Sequence, residues 1–147
     1  MVLTLHVLPP GVDDPVDPLV AAWREFLDGA RPLVAGGFAR ARVERFDGHG
    51  FASNQRGGFR VGCPRDGRNL VPAFNRAYPA WREGGPRALA CDCGERHDLA
   101  DLRYAPDAGF ARGWIALAGA GDADVTPEAR AVADAAVGRV RIVLRRG

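Results

Sequence analysis

Three cysteines and two glycine-closed turns constrain this chain more than any other feature, and all of them lie between positions 63 and 97. The first turn reads Cys63-Pro64-Arg65-Asp66-Gly67. The second reads Cys91-Asp92-Cys93-Gly94 and runs on through Glu95 and Arg96 to His97. A metal knuckle needs a soft ligand, a tight turn that aims backbone N–H groups at the sulfur, and a glycine where φ must be positive. Both turns have this grammar, and their separation of about 25 residues is near the spacing of ribbon-type zinc sites. Residues 59–104 therefore read as a zinc-ribbon-like unit. Cys63, Cys91, Cys93 and His97 are the candidate ligands, with Asp66 competing for the fourth place, because zinc accepts sulfur, imidazole and carboxylate alike.

The length of 147 residues suits one domain spanning 1–147 with a small unit, residues 48–104, inserted in it. A hydrophobic content of 47% with 26% charged residues is globular rather than disordered. All basic residues are arginine, and the chain is rich in Ala, Gly and Pro; codons rich in G and C explain this more cheaply than a nucleic-acid role does. A formal net charge of +2 is too small to be an electrostatic footprint by itself. The first residues alternate and stop at Pro9-Pro10, unlike a secretory leader, and no apolar run approaches the ~18 residues of a membrane span. The expectation is a cytoplasmic protein away from membranes, where an odd number of cysteines speaks for metal or thiol chemistry before disulfides.

Around the cysteine region, periodicity outlines a scaffold. Leu3, Leu5 and Val7 alternate as a strand with one buried face, leaving His6 on the other as an ordinary structural or surface histidine. Asp17 and Pro18 open a helix over about 17–28, with Asp17 as its cap. Phe38–Phe46 reads as a second strand closed by a turn at Asp47-Gly48-His49-Gly50, and Arg40, Arg42 and Glu44 as its solvated face. Residues 69–83 predict a short helix broken near Pro79, whose rings Phe74, Tyr78 and Trp81 pack the insert against the main sheet. Phe110–Ala118 is a small-residue strand, Thr126-Pro127 caps a helix ending before Gly138, and Val140, Ile142 and Leu144 alternate in a last strand. Strand, helix, strand, twice over, predicts an α+β fold: a ferredoxin-like split βαβ sheet, antiparallel, with both helices on one face and the zinc-ribbon-like insert between its second and third strands.

The run Cys63-Pro64-Arg65-Asp66-Gly67, the later Cys93-Gly94, then Leu99-Ala100-Asp101-Leu102-Arg103-Tyr104 and Gly109-Phe110-Ala111-Arg112 resembles a family of small uncharacterised bacterial proteins. Some of these carry an automatic label of sugar-transporter ATPase. The residues do not support that label: without lysine there is no phosphate-loop lysine, and no glycine-rich loop has the required spacing. Where this family usually has a second cysteine in the first turn, Asp66 stands here.

Four ligands close a tetrahedron around zinc and leave no position for substrate, so a structural zinc is the leading expectation. A metal-free knuckle is the second, and a catalytic metal or cysteine nucleophile the third; the His-x-Glu before Cys-x-x-Cys of zinc deaminases is absent. The function expected first is a non-catalytic interaction or adaptor module that presents its knuckles to a protein partner. An alternative is a nucleic-acid-binding module with Arg56, Arg60, Arg65, Arg68, Arg76 and Arg82 as phosphate contacts. Another is a small zinc-dependent hydrolase, with Glu95 or Asp92 as proton acceptor beside a metal-bound water.

Overall fold

The computed structural model describes residues 2–54 and 59–147. Along the chain these form β1 (Leu3–Leu8), α1 (Asp17–Ala22), α2 (Arg24–Leu27), β2 (Arg40–Ala52), β3 (Arg60–Gly62), α3 (Val71–Arg82), β4 (Ala88–Ala90), β5 (Arg96–Asp98), a 3-10 turn (Leu99–Asp101), β6 (Arg103–Ala105), β7 (Gly109–Ala118), α4 (Pro127–Val137) and β8 (Arg141–Arg146). The class is α+β. The chain divides into two compact units, one built from residues up to 54 and from 107 onward, the other from Gln55–Pro106.

In the first unit four strands pair in the order β2-β7-β1-β8, every neighbouring pair antiparallel. Alternation decides the two faces. Leu5 and Val7 of β1 and Ile115 and Leu117 of β7 join Leu19, Trp23, Phe26, Ala129 and Ala133 in one buried cluster, so α1, α2 and α4 cover the same face of the sheet. Side chains of the size of Phe26 or Ile115, 1% and 0% exposed, each stabilise by about 1.5–3 kcal/mol through burial. Trp23 is fully buried, and its Nε1–H donates to the Ala129 carbonyl at 2.9 Å, tying the first helical segment to the last. On the other face Leu8, Trp114, Ala116 and Val143 form a smaller cluster against Phe46.

Several local expectations change. The helix over 17–28 is two pieces, because Trp23 leaves helical geometry at φ −99°, ψ 15°. Asp17 does not cap it: Val16 takes the cap position, and the Asp17 carboxylate is held by Arg45 at 2.5 Å. The turn at 47–50 is instead strand. β2 continues to Ala52, with a register shift between Arg45 and Gly50 that lets Phe51 pair with Phe110 and Ala52 with Gly109. At the last helix the capping holds as expected, with Thr126 Oγ1 accepting from the Ala129 N–H at 3.2 Å and Pro127 in the first turn.

The second unit starts seven positions later than residue 48, since β2 absorbs 48–52. It contains two short antiparallel pairs, β3 with β6 and β4 with β5, and the helix α3. α3 runs uninterrupted through Pro79 to Arg82. Proline there removes one i→i−4 bond near the end of the helix, while Tyr78 stacked on Phe74 (5.5 Å between centroids) and Trp81 tilted against Tyr78 (5.8 Å) straddle the gap. Phe59 and Tyr104 extend this ring ladder, each within 6.0 Å of Phe74, and the Tyr104 hydroxyl donates to the Leu99 carbonyl. Among the described residues no helix is long and apolar enough to cross a membrane.

Two outcomes follow for the first unit. Trp23→Phe, which loses the hydrogen bond and leaves a gap, will destabilise by about 1–3 kcal/mol in chemical denaturation. Burial holds the His6 pKa below its ordinary 6.5, so below that pH the unfolded chain takes up a proton that the folded chain resists, and stability is lost on acidification. Melting temperatures between pH 7.5 and 5.5 will therefore fall more steeply for the wild type than for His6→Asn.

Candidate metal centre

The second knuckle is the turn of a hairpin. β4 and β5 pair with Leu89 opposite His97 and Ala90 opposite Arg96, and the residues between them close tightly: Gly94 N–H donates to the Cys91 carbonyl at 3.1 Å and Cys91 N–H to the Glu95 carbonyl at 3.0 Å. Gly94 sits at φ +95°, where a side chain is strained. The first knuckle follows β3 and repeats the same plan, with Gly67 N–H donating to the Cys63 carbonyl at 2.9 Å, Cys63 N–H to the Arg68 carbonyl at 2.9 Å, and Gly67 at φ +75°. In each, a backbone N–H is turned onto sulfur: Arg65 N–H lies 3.3 Å from Cys63 Sγ, and Cys93 N–H 3.4 Å from Cys91 Sγ.

These two turns bring Cys63, Cys91, Cys93 and His97 together. Their ligand atoms all lie within 4.8 Å of one another, with His97 Nε2 3.5 Å from Cys63 Sγ and 3.2 Å from Cys93 Sγ. A zinc ion about 2.3 Å from sulfur and about 2.0 Å from nitrogen places tetrahedral ligand atoms about 3.5 to 3.8 Å apart. The donor set and its spacing fit such an ion with little adjustment. Cys63 and His97 are buried at 0% and 8% exposure, Cys91 stands at the margin of burial, and Cys93 is half-buried.

Electrostatics sets Cys93 apart from Cys91. Burial pushes the Cys93 thiol up, but hydrogen bonds from the Glu95 backbone, His97 and the two other cysteines outweigh it and bring the thiol down to about 7. Cys91 gains from the Cys93 N–H, yet desolvation and the neighbouring sulfurs leave its thiol raised. A thiol near neutrality is readily deprotonated, so a divalent metal can take the thiolate while the proton is released to solvent.

Asp66 is not in the cluster. Its carboxylate accepts from Arg68 Nε at 2.8 Å and from the Arg68 backbone N–H at 3.0 Å, and the Arg68 side chain above all holds its pKa down, to about 2. Spacing within the turn predicts a carboxylate near the sulfur, and a hydrogen bond with the Cys63 side chain also helps hold the Asp66 pKa down, while the arginine two residues on engages both carboxylate oxygens. Glu95, the other acidic group of interest, is paired with Arg65 at 3.0 Å.

The arginines of the nucleic-acid reading are correspondingly divided. Arg65 and Arg68 are each paired to a carboxylate, Arg82 bonds the Tyr78 hydroxyl at 3.1 Å, Arg60 and Arg76 are exposed, and Arg56 lies outside the described residues.

Metal titrations with cobalt(II) will discriminate the ligand set. Thiolate-to-cobalt absorption will be unchanged by Asp66→Asn, while Cys93→Ser and His97→Ala will weaken binding by more than the about 10–100-fold typical of residues that only orient a ligand. Strong loss in Asp66→Asn would place the carboxylate on the metal.

No family model, curated protein or solved structure matches the chain significantly.

Proposed function

We propose that this chain is a non-catalytic interaction module whose second unit is a zinc-ribbon-like fold closed around one structural zinc. The observation that carries the reading is the completeness of the ligand set: three sulfurs and one imidazole nitrogen within 4.8 Å saturate a tetrahedral ion and leave it no position for a substrate or water. A sulfur-rich donor set selects zinc over the hard divalent cations, which prefer oxygen. Size points the same way. A unit of about 50 residues is marginal by its core alone, and a structural metal is one remedy for that.

The four-stranded unit supports the ferredoxin-like split βαβ reading through its strand order, antiparallel pairing and shared helical face. On this proposal it serves as the scaffold from which the ribbon is presented to a protein partner, away from membranes and in the cytoplasm, where thiols stay reduced. A hydrolytic zinc has less to support it, because it needs an open coordination position that four ligands do not leave; of its two candidate proton acceptors Glu95 is engaged by Arg65 and Asp92 is exposed. The nucleic-acid reading is weakened in the same way by the carboxylates on Arg65 and Arg68.

Protein purified without added metal will hold about one zinc per chain. X-ray absorption at the zinc edge will fit three sulfurs and one nitrogen, and chelation will abolish the dispersed amide signals of 59–106 while leaving those of β1, β7 and β8. A fitted oxygen from water in place of one sulfur would turn the reading toward the hydrolase, and metal-free protein with an ordered second unit would end it.

A further inference from the structure

The face of the four-stranded sheet away from the helices carries a feature that the metal centre does not use. Register aligns two rows of residues across it. One runs Arg40, Ala118, Thr4, Arg145 and the next runs Arg42, Ala116, His6, Val143. The two central strands thus contribute methyl groups and a hydroxyl, while the two edge strands contribute arginines. Because strands lie about 4.8 Å apart, Arg40 and Arg145 stand about 14 Å from each other across a floor that Ala116 and Ala118 keep low. The result is a trough of about 200 Å³ lined by Thr4, His6, Ala116, Ala118 and the three arginines.

Its polar groups are underused. Arg40 and Arg145 are exposed and have no ion-pair or hydrogen-bond partner among the described residues. Arg42 is held upright by Glu44, which accepts from its Nε at 3.2 Å and its Nη2 at 2.9 Å. His6 is 7% exposed, packs its ring edge-on to Trp114 at 5.3 Å, and leaves Nδ1 buried without a hydrogen-bond partner. A buried polar nitrogen without a partner costs stability, as does the mutual repulsion of like charges around one cavity. The repulsion is relieved by an anion with several acceptor oxygens, whereas the enclosed His6 nitrogen lies beneath its reach.

We propose that this trough binds the phosphate group of a compact phosphate monoester. Three guanidinium groups and the single Glu44 carboxylate leave two positive charges uncompensated, which matches the charge of about −1.5 to −2 on a phosphate monoester at neutral pH. Guanidinium forks suit phosphate oxygens in paired hydrogen bonds, and the Thr4 hydroxyl adds a donor at the floor. The small volume, about 200 Å³, suits a compact group, since sites for drug-sized molecules run from about 300 Å³ upward. The aromatic ring in its lining, His6, is 7% exposed and set edge-on to Trp114, so no open Phe, Tyr or Trp face among the described residues invites a nucleobase to stack. The site lies wholly within the first unit and is independent of the metal reading.

Titration of the full chain with inorganic phosphate, followed by the amide NMR shifts of Thr4, Ala116 and Ala118, tests this. The shifts will saturate with a Kd of order 1 mM or tighter. Binding will weaken about tenfold in Arg40→Gln and in Arg145→Gln, each worth about 1.4 kcal/mol, and will tighten in Glu44→Gln, with spectra elsewhere unchanged as the control for folding. Shifts that grow linearly without saturating, or that are the same in the arginine variants, overturn the proposal. So does equal binding of acetate, which would make the site a general anion patch. A single-stranded oligonucleotide that moves these signals with a steep salt dependence, where phosphate alone does not, would instead give the face to a polyanionic backbone.

Discussion

The pairing of β2 with β7 is the contact on which the rest of the architecture depends. It extends from Arg40 opposite Ala118 to Ala52 opposite Gly109, so the long excursion of residues 53–108 leaves the sheet and returns to it on adjacent positions. Joining the ends of a segment this long costs conformational entropy, but the cost grows slowly, by about 0.6 kcal/mol for each doubling of length. Ladder hydrogen bonds and the Phe51–Phe110 contact at 4.6 Å between centroids offset it. The second unit is therefore free to be whatever its own sequence dictates, and the four-stranded sheet to complete its pairing as if the excursion were a hairpin turn.

That independence explains why the two halves were legible by different signals. In the sheet, strict alternation in Leu3–Val7 and Ile142–Leu144 and the Thr126-Pro127 cap each encode a local preference that tertiary structure had no reason to override. In the second unit the helical spacing of Phe74, Tyr78 and Trp81 outlines α3, but the three-residue strands are too short for alternation to mark them. What speaks there is turn chemistry: cysteine, proline, glycine and their intervals, which led to Cys63, Cys91, Cys93 and His97 as a set.

Where the reading of the sequence and the structure part, a partner distant in sequence is the reason. Asp17 has the chemistry of a cap, but Arg45, from a strand formed later in the chain, takes its carboxylate. Asp47-Gly48-His49-Gly50 has the composition of a turn, but β7 offers a template along which the strand resumes after a bulge, and His49 Nε2 meets Asp13 Oδ1 at 2.7 Å. The arginines of β2 read as a solvated face, which locally they are. Only the register of four strands shows that Arg145 and His6 share it.

The two knuckles contribute unequally to their cluster, and this asymmetry bears on the order in which it assembles. Cys91, Cys93 and His97 sit within one hairpin, whereas Cys63 comes from a separate turn next to β3. On the zinc reading, the hairpin alone is a three-coordinate receptor that forms as soon as seven consecutive residues fold, at the rate of a local event. Cys63 would then be the ligand that ties the separate turn to the hairpin. A competing thiol from a metal donor or acceptor would meet the ion most easily at Cys93, the most exposed of the three sulfurs, whereas the Cys63 sulfur that joins the two turns is fully enclosed.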